Sequence, residues 1–405
     1  MVCTPEKPVG DWAGRGPSLR GAGSAPNMLT RVTAEELIER TAALVPGIAA
    51  RAGEAERLRR IPDATIDALR DAGLFRLYVP ARFGGFELPF GGLQLAVSSL
   101  LGAACGSTAW VQGAFAVHGW MLGSFTDEAQ TAVWEANPDA AIATATSPVD
   151  GTGRTVPGGI VLDGTWSFGS GCESADWMII RANVPSRGWR WFLLPQAAVE
   201  IVDVWYASGL RGSGSQDVRL HEVFVPDAMT LDVLALRGSA IPLYGLPYIG
   251  VFQFTIALPT LGLARGALSA FEELTRKHPD RQRAAARQLR FAESACEVDA
   301  AELLLARTAR EFEAAQAEGR VVKTAERIRA KRDAAYAARL CRSAVDRLVQ
   351  VGGAHGLADV NPLQRAFRDI AAIASHHGLS WDTSGELYGS FAFGLEQPDP
   401  MLRDD

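Results

Sequence analysis

Two adjacent histidines near the C-terminus, His376 and His377, are the residues of this 405-residue chain best placed for proton chemistry. Imidazole alone has an ordinary pKa close to neutral, so either ring can take or give a proton at physiological pH. They follow Arg368-Asp369. On a helix Asp369, Ile373 and His376 fall at 0, +4 and +7 and share a face, while His377 is displaced by one residue step. That spacing separates the two rings, although two adjacent histidines can also be structural. A third imidazole, His118, stands in the apolar string Val117-His118-Gly119-Trp120, where it is either a satisfied core residue or a base held away from water. Ser170 adds a hydroxyl within Trp166-Ser167-Phe168-Gly169-Ser170-Gly171-Cys172, a string that by itself reads as a Gly/Ser hairpin turn.

Other chemistries are argued against by type and spacing. The five cysteines are odd in number and lack a CxxC pair, so they read as reduced, mostly buried thiols without disulfide or zinc. No HExxH cluster exists, and His376 and His377 on a helix would point about 100° apart, which suits no single metal ion. A net charge of −6 offers no basic footprint for nucleic acid. No run of 18 apolar residues suggests a membrane span, and residues 1–30 lack the apolar core of a secretory signal. The cytoplasm is the expected location.

The elements that must position these residues come in three blocks. Residues 1–27 are rich in Gly, Pro and Ser and are expected to be a disordered extension, with Met28 as a candidate start. Helical periodicity begins with the capping box Thr33-Ala34-Glu35-Glu36 and resumes at Pro62-Asp63, defining an N-terminal helical domain over residues 28–140. Over residues 141–240 short β-branched and aromatic runs (159–162, 177–182, 189–194 and 218–225) alternate with turn residues, the pattern of an antiparallel barrel. Residues 241–405 return to long helices, broken at Gly352-Gly353, with a last helix from about Pro362. The fold class is therefore α+β, in the order helices, central β-barrel, C-terminal four-helix bundle.

Four motifs spanning nearly all of residues 30–395 resemble the acyl-CoA dehydrogenase-like superfamily, and within it the two-component flavin-dependent monooxygenases. Cys105-Gly106-Ser107-Thr108-Ala109-Trp110-Val111, with the His118 string, is similar to the phenol-hydroxylating members. Gly209-Leu210-Arg211-Gly212-Ser213-Gly214-Ser215-Gln216-Asp217-Val218 resembles a GLRGTGSxDV signature found across the superfamily. The Trp166 to Cys172 string resembles the family's strand-loop-strand beside the flavin ring, and the fourth motif joins Gln350-Val351-Gly352-Gly353, similar to a stretch that approaches a neighbouring subunit's flavin diphosphate, to Arg368-Asp369 through His376-His377, which resembles the catalytic segment with histidines where Tyr and Glu would stand.

The resemblance implies catalysis by His376, His118, Ser170 or His377, with Ser170 beside the flavin N5 edge and small neighbours letting the ring approach the backbone. It implies flavin contacts from Ser170, Gly171, Cys172, Trp110, Thr144, Ser147, Arg276, Gln350, Gly352 and Gly353. Trp120, Phe168 and Trp381 are candidates for the substrate pocket, alongside Trp110, and no metal is expected. The dehydrogenase motif Arg-x-x-Phe-Gly is not intact at Arg276-Lys277-His278-Pro279, which fits exchangeable reduced FMN or FADH2 as a co-substrate. With no GxGxxG unit visible, a separate NAD(P)H:flavin reductase is the expected partner. Dioxygen adding at flavin C4a would then hydroxylate an aromatic small molecule in a homotetramer. The alternatives are an amine N-oxygenase on the same fold, an acyl-CoA dehydrogenase, and a non-catalytic scaffold.

Overall fold

Thr33 opens the first helix by accepting the Glu36 amide on Oγ1 at 3.2 Å, the N-cap role its place before an apolar-periodic run requires. In the computed structural model, which describes residues 32–185, 187–232, 243–359, 361–395 and 399–402, this helix is α1 (Ala34–Leu58), and Pro62 precedes α2 (Asp63–Asp71). The extension expected over residues 1–27, and Met28, lie outside the described residues. The N-terminal helices continue with α3 (Gly92–Ala104), α4 (Gly106–Leu122) and α5 (Asp127–Trp134). α4 carries no charged residue and is buried along nearly its whole length, His118 included, because a helix apolar on every side must be enclosed.

The strands are β1 (Ile142–Ala145), β2 (Ser147–Pro148), β3 (Thr152–Val156), β4 (Gly159–Gly169), β5 (Trp177–Val184), β6 (Gly188–Pro195), β7 (Glu200–Val202), β8 (Gln216–Pro226) and β9 (Thr230–Asp232). Each expected run lies within one of them, but their assembly differs from a closed antiparallel barrel. Among the described residues they form two sheets, β1-β5-β6-β9 and β2-β4-β8-β7 with β3 on β4, and β1 runs parallel to β5. Alternating apolar residues report that one face of a strand is buried, and this holds equally for two packed sheets and for a barrel. The pairing of β4 with β8 slips at Leu162/Gly164 and again at Trp166/Gly169, and the second slip is where the chain leaves the ladder towards Ser170.

The C-terminal helices are α6 (Tyr248–Arg276), α7 (Pro279–Gln282), α8 (Ala285–Glu318), α9 (Thr324–Gly352), α10 (Pro362–Ala374) and α11 (Trp381–Ala392). α6, α8, α9 and α10 pack together, α11 lies on α9, and α6 also rests on α3 and α4. By length and composition α6 could cross a membrane, but polar residues interrupt it at Gln253, Thr255, Thr260 and Arg265 and 72% of its most apolar stretch is buried in the protein. It is a core helix bridging both helical layers.

The helix expected to be the last, from about Pro362, is α10; it ends sooner than its periodicity suggests, and α11 follows it. α10 stops at Ala374, and His376 adopts extended backbone (φ −65°, ψ 132°), with Nδ1 accepting the Gly378 amide at 3.0 Å. The face shared by Asp369, Ile373 and His376 therefore does not form, because this local bond competes with helix continuation ahead of a glycine. Nor do the two imidazoles diverge. Outside the helix they stack, with ring centroids 4.4 Å apart.

Upstream in α10, Arg368 and Asp369 clamp the loop before β8. Asp369 Oδ1 accepts the Leu210 amide at 2.7 Å, and Arg368 donates to the Ser208 carbonyl at 2.8 Å while pairing with Glu56 of α1. Gly209 lies so close that a Cβ there would sit 1.9 Å from the Arg368 carbonyl oxygen. Gly209→Ala is therefore expected to lower the urea midpoint by the equivalent of about 1–3 kcal/mol through overpacking. A wild-type midpoint would remove the clamp from the account.

Candidate active site

A cavity of about 410 Å³ opens where α4, the ends of β1, β2 and β4, α6 and the His376–His377 turn meet. Its walls are chiefly apolar and aromatic, with hydroxyls and imidazoles placed among them.

Ser170 owes its position to the end of β4. Phe168 has φ 68° at the second register slip, a local bulge of the kind that re-aims side chains. The Trp110 indole Nε1–H then donates to Ser170 Oγ at 3.1 Å, Ser170 and Ser215 lie 2.7 Å apart at Oγ, and Ser215 and Ser213 lie 2.7 Å apart. A hydroxyl has one proton and two lone pairs. Trp110 and Ser215 occupy two of these positions, so one remains for a ligand. Gly171, at φ 74°, faces the Phe115 ring, 2.8 Å from where a Cβ would be. Burial pushes the Cys172 thiol up to about 12, leaving it an inert core residue.

His118 is held by two bonds. Its Nδ1 lies 2.9 Å from the Ile142 carbonyl, which can only accept, so Nδ1 carries the proton and Nε2 accepts from Thr144 Oγ1–H at 3.1 Å. The Thr144 oxygen keeps its lone pairs for the cavity, which it lines. Burial lowers the His118 pKa to about 4, so the ring is neutral at pH 7.

His376 is also pushed down to about 4, by burial and then by His377. Because its Nδ1 accepts the Gly378 amide, the neutral ring carries its proton on Nε2 and offers a donor. The rings of Trp110 and Phe252 flank it at 5.7 and 5.8 Å. A base titrating near neutrality, the sequence expectation, is thus not what the fold builds: desolvation favours the uncharged ring at both positions. His377 is exposed at the cavity, and its pKa is lowered by burial, then by the charges of Lys331 and Arg181.

Of the residues singled out by sequence, His118, His376, His377, Ser170, Trp110, Thr144, Ser147 and Phe168 all line this cavity. Gly171 and Cys172 lie behind it. Trp120 is a core residue, fully buried, with its indole bonded to the Leu243 carbonyl at 2.8 Å. Trp381 packs on Tyr336 at 5.0 Å, and Arg276 pairs with Glu272 on the surface of α6. Gln350, Gly352 and Gly353 close α9 and do not line the cavity of this chain. Phe252, Thr255, Ile256 and Pro259 of α6, with Ser215 and Trp205, line it without having been singled out. The α6 residues were detectable, since they recur at i, i+3, i+4 and i+7. Among the described residues no group of His, Cys, Asp or Glu is arranged to hold a metal.

Residues 32–136 match the acyl-CoA dehydrogenase N-terminal domain family and residues 254–381 the acyl-CoA dehydrogenase C-terminal domain family. The oxygenase subunit HsaA of a flavin-dependent monooxygenase from Rhodococcus jostii (strain RHA1) is 34% identical over 384 residues, covering 90% of this chain and 100% of that protein. The chain belongs to the oxygenase subunits of the flavin-dependent monooxygenases. An FADH(2)-dependent resorcinol hydroxylase oxygenase component from Rhizobium sp. (strain MTP-10005) is likewise 34% identical, over 89% of this chain and 94% of its own length. The solved structure of XiaF from Streptomyces sp., in complex with FADH2 and glycerol, superposes with a TM-score of 0.85 at 29% identity, covering 91% of this chain and 97% of that one.

For an oxygenase subunit the cavity suits a flavin. It offers apolar and aromatic walls and an open hydrogen-bonding position on Ser170. The buried titratable groups make the stability of this oxygenase subunit pH-dependent. His118 and His376 have depressed pKa values, so their contribution is complete above about 6.5 and is lost as pH falls towards 4, about 3 kcal/mol for the fully enclosed His118. Asp369 is buried in the clamp and raised by that burial to about 6, so its contribution is complete below 3.8 and is lost as pH rises through 6. Denaturant titrations are expected to show His118→Gln flattening the acid loss of stability between pH 6.5 and 4. The advantage of Asp369→Asn over wild type should grow from pH 4 to 7. Parallel pH profiles for all three proteins would contradict both assignments.

Proposed function

We propose that this oxygenase subunit hydroxylates an aromatic small molecule carrying a ring hydroxyl or indole nitrogen, using dioxygen and reduced FMN or FADH2 delivered by a separate NAD(P)H:flavin reductase. The observation that carries the reading is the Thr144–His118 pair. Thr144 Oγ1–H donates to the neutral His118 Nε2 at 3.1 Å, so its oxygen is available to accept a substrate O–H or N–H. Drawing that proton away leaves electron density on the aromatic ring, which is the nucleophile in hydroxylation. A phenolic substrate in the Rhizobium relative's name is consistent with this. A fully ionised phenol is not required, because an imidazole lowered to about 4 is a weak base and works here as a hydrogen-bond acceptor.

When bound, reduced flavin would supply the electrons that split dioxygen, one oxygen atom going to the substrate and the other to water. Ser170, oriented by Trp110 and Ser215, would hold the polar edge of the flavin ring. His376, with its proton on Nε2, donates to oxygen and does not take a proton from the substrate. The aromatic walls exclude water from the reaction.

With a generic flavin reductase and a panel of phenols, indoles and amines, product is expected to gain the mass of one oxygen atom from a phenol or indole. His118→Leu and Thr144→Val should lower hydroxylation roughly 10²–10⁴-fold with reduced-flavin binding intact. Ser170→Ala should leave substrate affinity unchanged and divert oxygen into hydrogen peroxide. If the His118 and Thr144 variants hydroxylate at the wild-type rate, the assignment of this pair falls.

We further propose a cytoplasmic homotetramer. Leu289 and Leu303 of α8 are 68% and 67% exposed and lie about four turns apart on one face, an apolar stripe that a second subunit would cover. Light scattering at micromolar concentration is expected to give four times the chain mass. A monomer would refute the assembly.

A further inference from the structure

The hydroxyl groups of the cavity divide into those already engaged and those left over. Thr255 Oγ1 donates to the Val251 carbonyl at 2.8 Å, and Ser375 Oγ donates to the Ala371 carbonyl at 2.8 Å. Ser170 and Ser215 hold each other, and Thr144 donates to His118. Among the described residues, Thr146 and Ser147 line the same cavity with no hydrogen-bond partner for the side-chain oxygen. Ser147 opens β2 opposite Ser167 of β4, the strand that leads to Ser170. Thr146 instead follows β1 and shares a face with Thr144. Both threonines line the cavity, whereas Ala143 and Ala145, which alternate with them, are fully buried and do not, as the period of two in extended chain requires. Two residues of extended chain advance about 6.6 Å, comparable with the span of a benzene ring carrying an oxygen at each end.

Charge is missing from these walls. Among the described residues no Asp, Glu, Lys or Arg lines the cavity, and burial keeps His118 and His376 in their neutral forms. An ionised group drawn into such a site gives up its hydration and meets no opposite charge, which is costly. A neutral hydroxyl needs only a hydrogen-bond partner.

We propose that the substrate is an uncharged phenol with a second oxygen across the ring, the first hydroxyl resting on Thr144 and the second oxygen on Thr146. The inference rests on the oxygenase reading and deepens it by naming the substrate class. Thr144 accepts, because its own proton goes to His118. Thr146 has a proton and lone pairs to offer, so either a hydroxyl or a carbonyl oxygen suits it. Two contacts fix the rotation of the ring, where one would leave it free to turn, and Thr146 thereby decides which ring edge is presented for reaction.

The test is anaerobic titration calorimetry with reduced FMN present, so that binding is read without turnover. The ligands are para-cresol and hydroquinone, which exchange a methyl for a hydroxyl, and para-hydroxybenzoate and its methyl ester, which differ in charge. Wild type is expected to prefer hydroquinone over para-cresol by roughly 3–10-fold, the worth of one neutral hydrogen bond. It should prefer the ester over the acid by roughly 10-fold or more. Thr146→Val should lose the first preference and keep the second, with reduced-FMN affinity unchanged, and Thr146→Ala should behave likewise. Thr146→Ser, which restores the hydroxyl, should keep both. A wild type indifferent between hydroquinone and para-cresol, a preference that survives in Thr146→Val and Thr146→Ala, or an acid bound as tightly as its ester overturns the proposal. Weaker reduced-FMN binding in Thr146→Val with the hydroquinone preference intact would assign the threonine to the flavin, and the proposal falls. Phenols bound without these preferences sink this inference alone, whereas a wild type that binds neither phenols nor reduced FMN sinks the oxygenase reading with it.

Discussion

The bond from the Leu210 amide to the buried Asp369 carboxylate is the contact on which the site depends. It joins two segments that are 159 positions apart and belong to different layers, the loop entering β8 and the C-terminal helix α10. With Arg368 on the Ser208 carbonyl and Glu56, it brings α1, the loop and α10 to one point. Ser215, which hydrogen-bonds Ser170, and its own partner Ser213 lie a few residues along that loop. The His376–His377 turn lies at the other end of α10. The Arg-Asp pair is therefore scaffolding, holding the two halves of the cavity in register without reaching into it.

Desolvation is the second organising effect. The same enclosure that keeps water out of the cavity holds His118 and His376 in their neutral forms. Backbone groups then decide which nitrogen bears the proton: the Ile142 carbonyl selects Nδ1–H on His118, and the Gly378 amide selects Nε2–H on His376. Two chemically identical side chains thereby become an acceptor and a donor. This division of labour suits a reaction in which one group must draw on a substrate hydroxyl and another must hold oxygen.

Much of the architecture was legible locally. The cap at Thr33, the proline before α2, the short apolar runs of β4, β5, β6 and β8 and the glycine break after α9 all follow from rules acting over a few residues. The boundaries that failed did so for reasons that periodicity cannot register. α10 stops early because an imidazole takes a backbone amide, and the strands divide into two sheets because pairing partners are chosen across the chain. α6 looks like a membrane span in isolation and is instead the buried bridge between helical layers.

The sequence by itself determined which chemistry was available: imidazoles at 118, 376 and 377, a hydroxyl at 170 among residues too small to block a ligand, and no cluster suited to a metal. It also specified the order of helices and strands, because capping, turn formation and side-chain alternation are local. Tertiary structure decided what those residues do. Proton affinity depends on surrounding solvent and charge, tautomer depends on the partner of the opposite ring nitrogen, and the meeting of Thr144 with His118, or of Ser170 with Trp110, depends on long-range packing. None of these is a property of neighbouring positions in the chain, so Trp120 and Trp381, plausible by type, lie outside the cavity, while Phe252 and Ser215 line it.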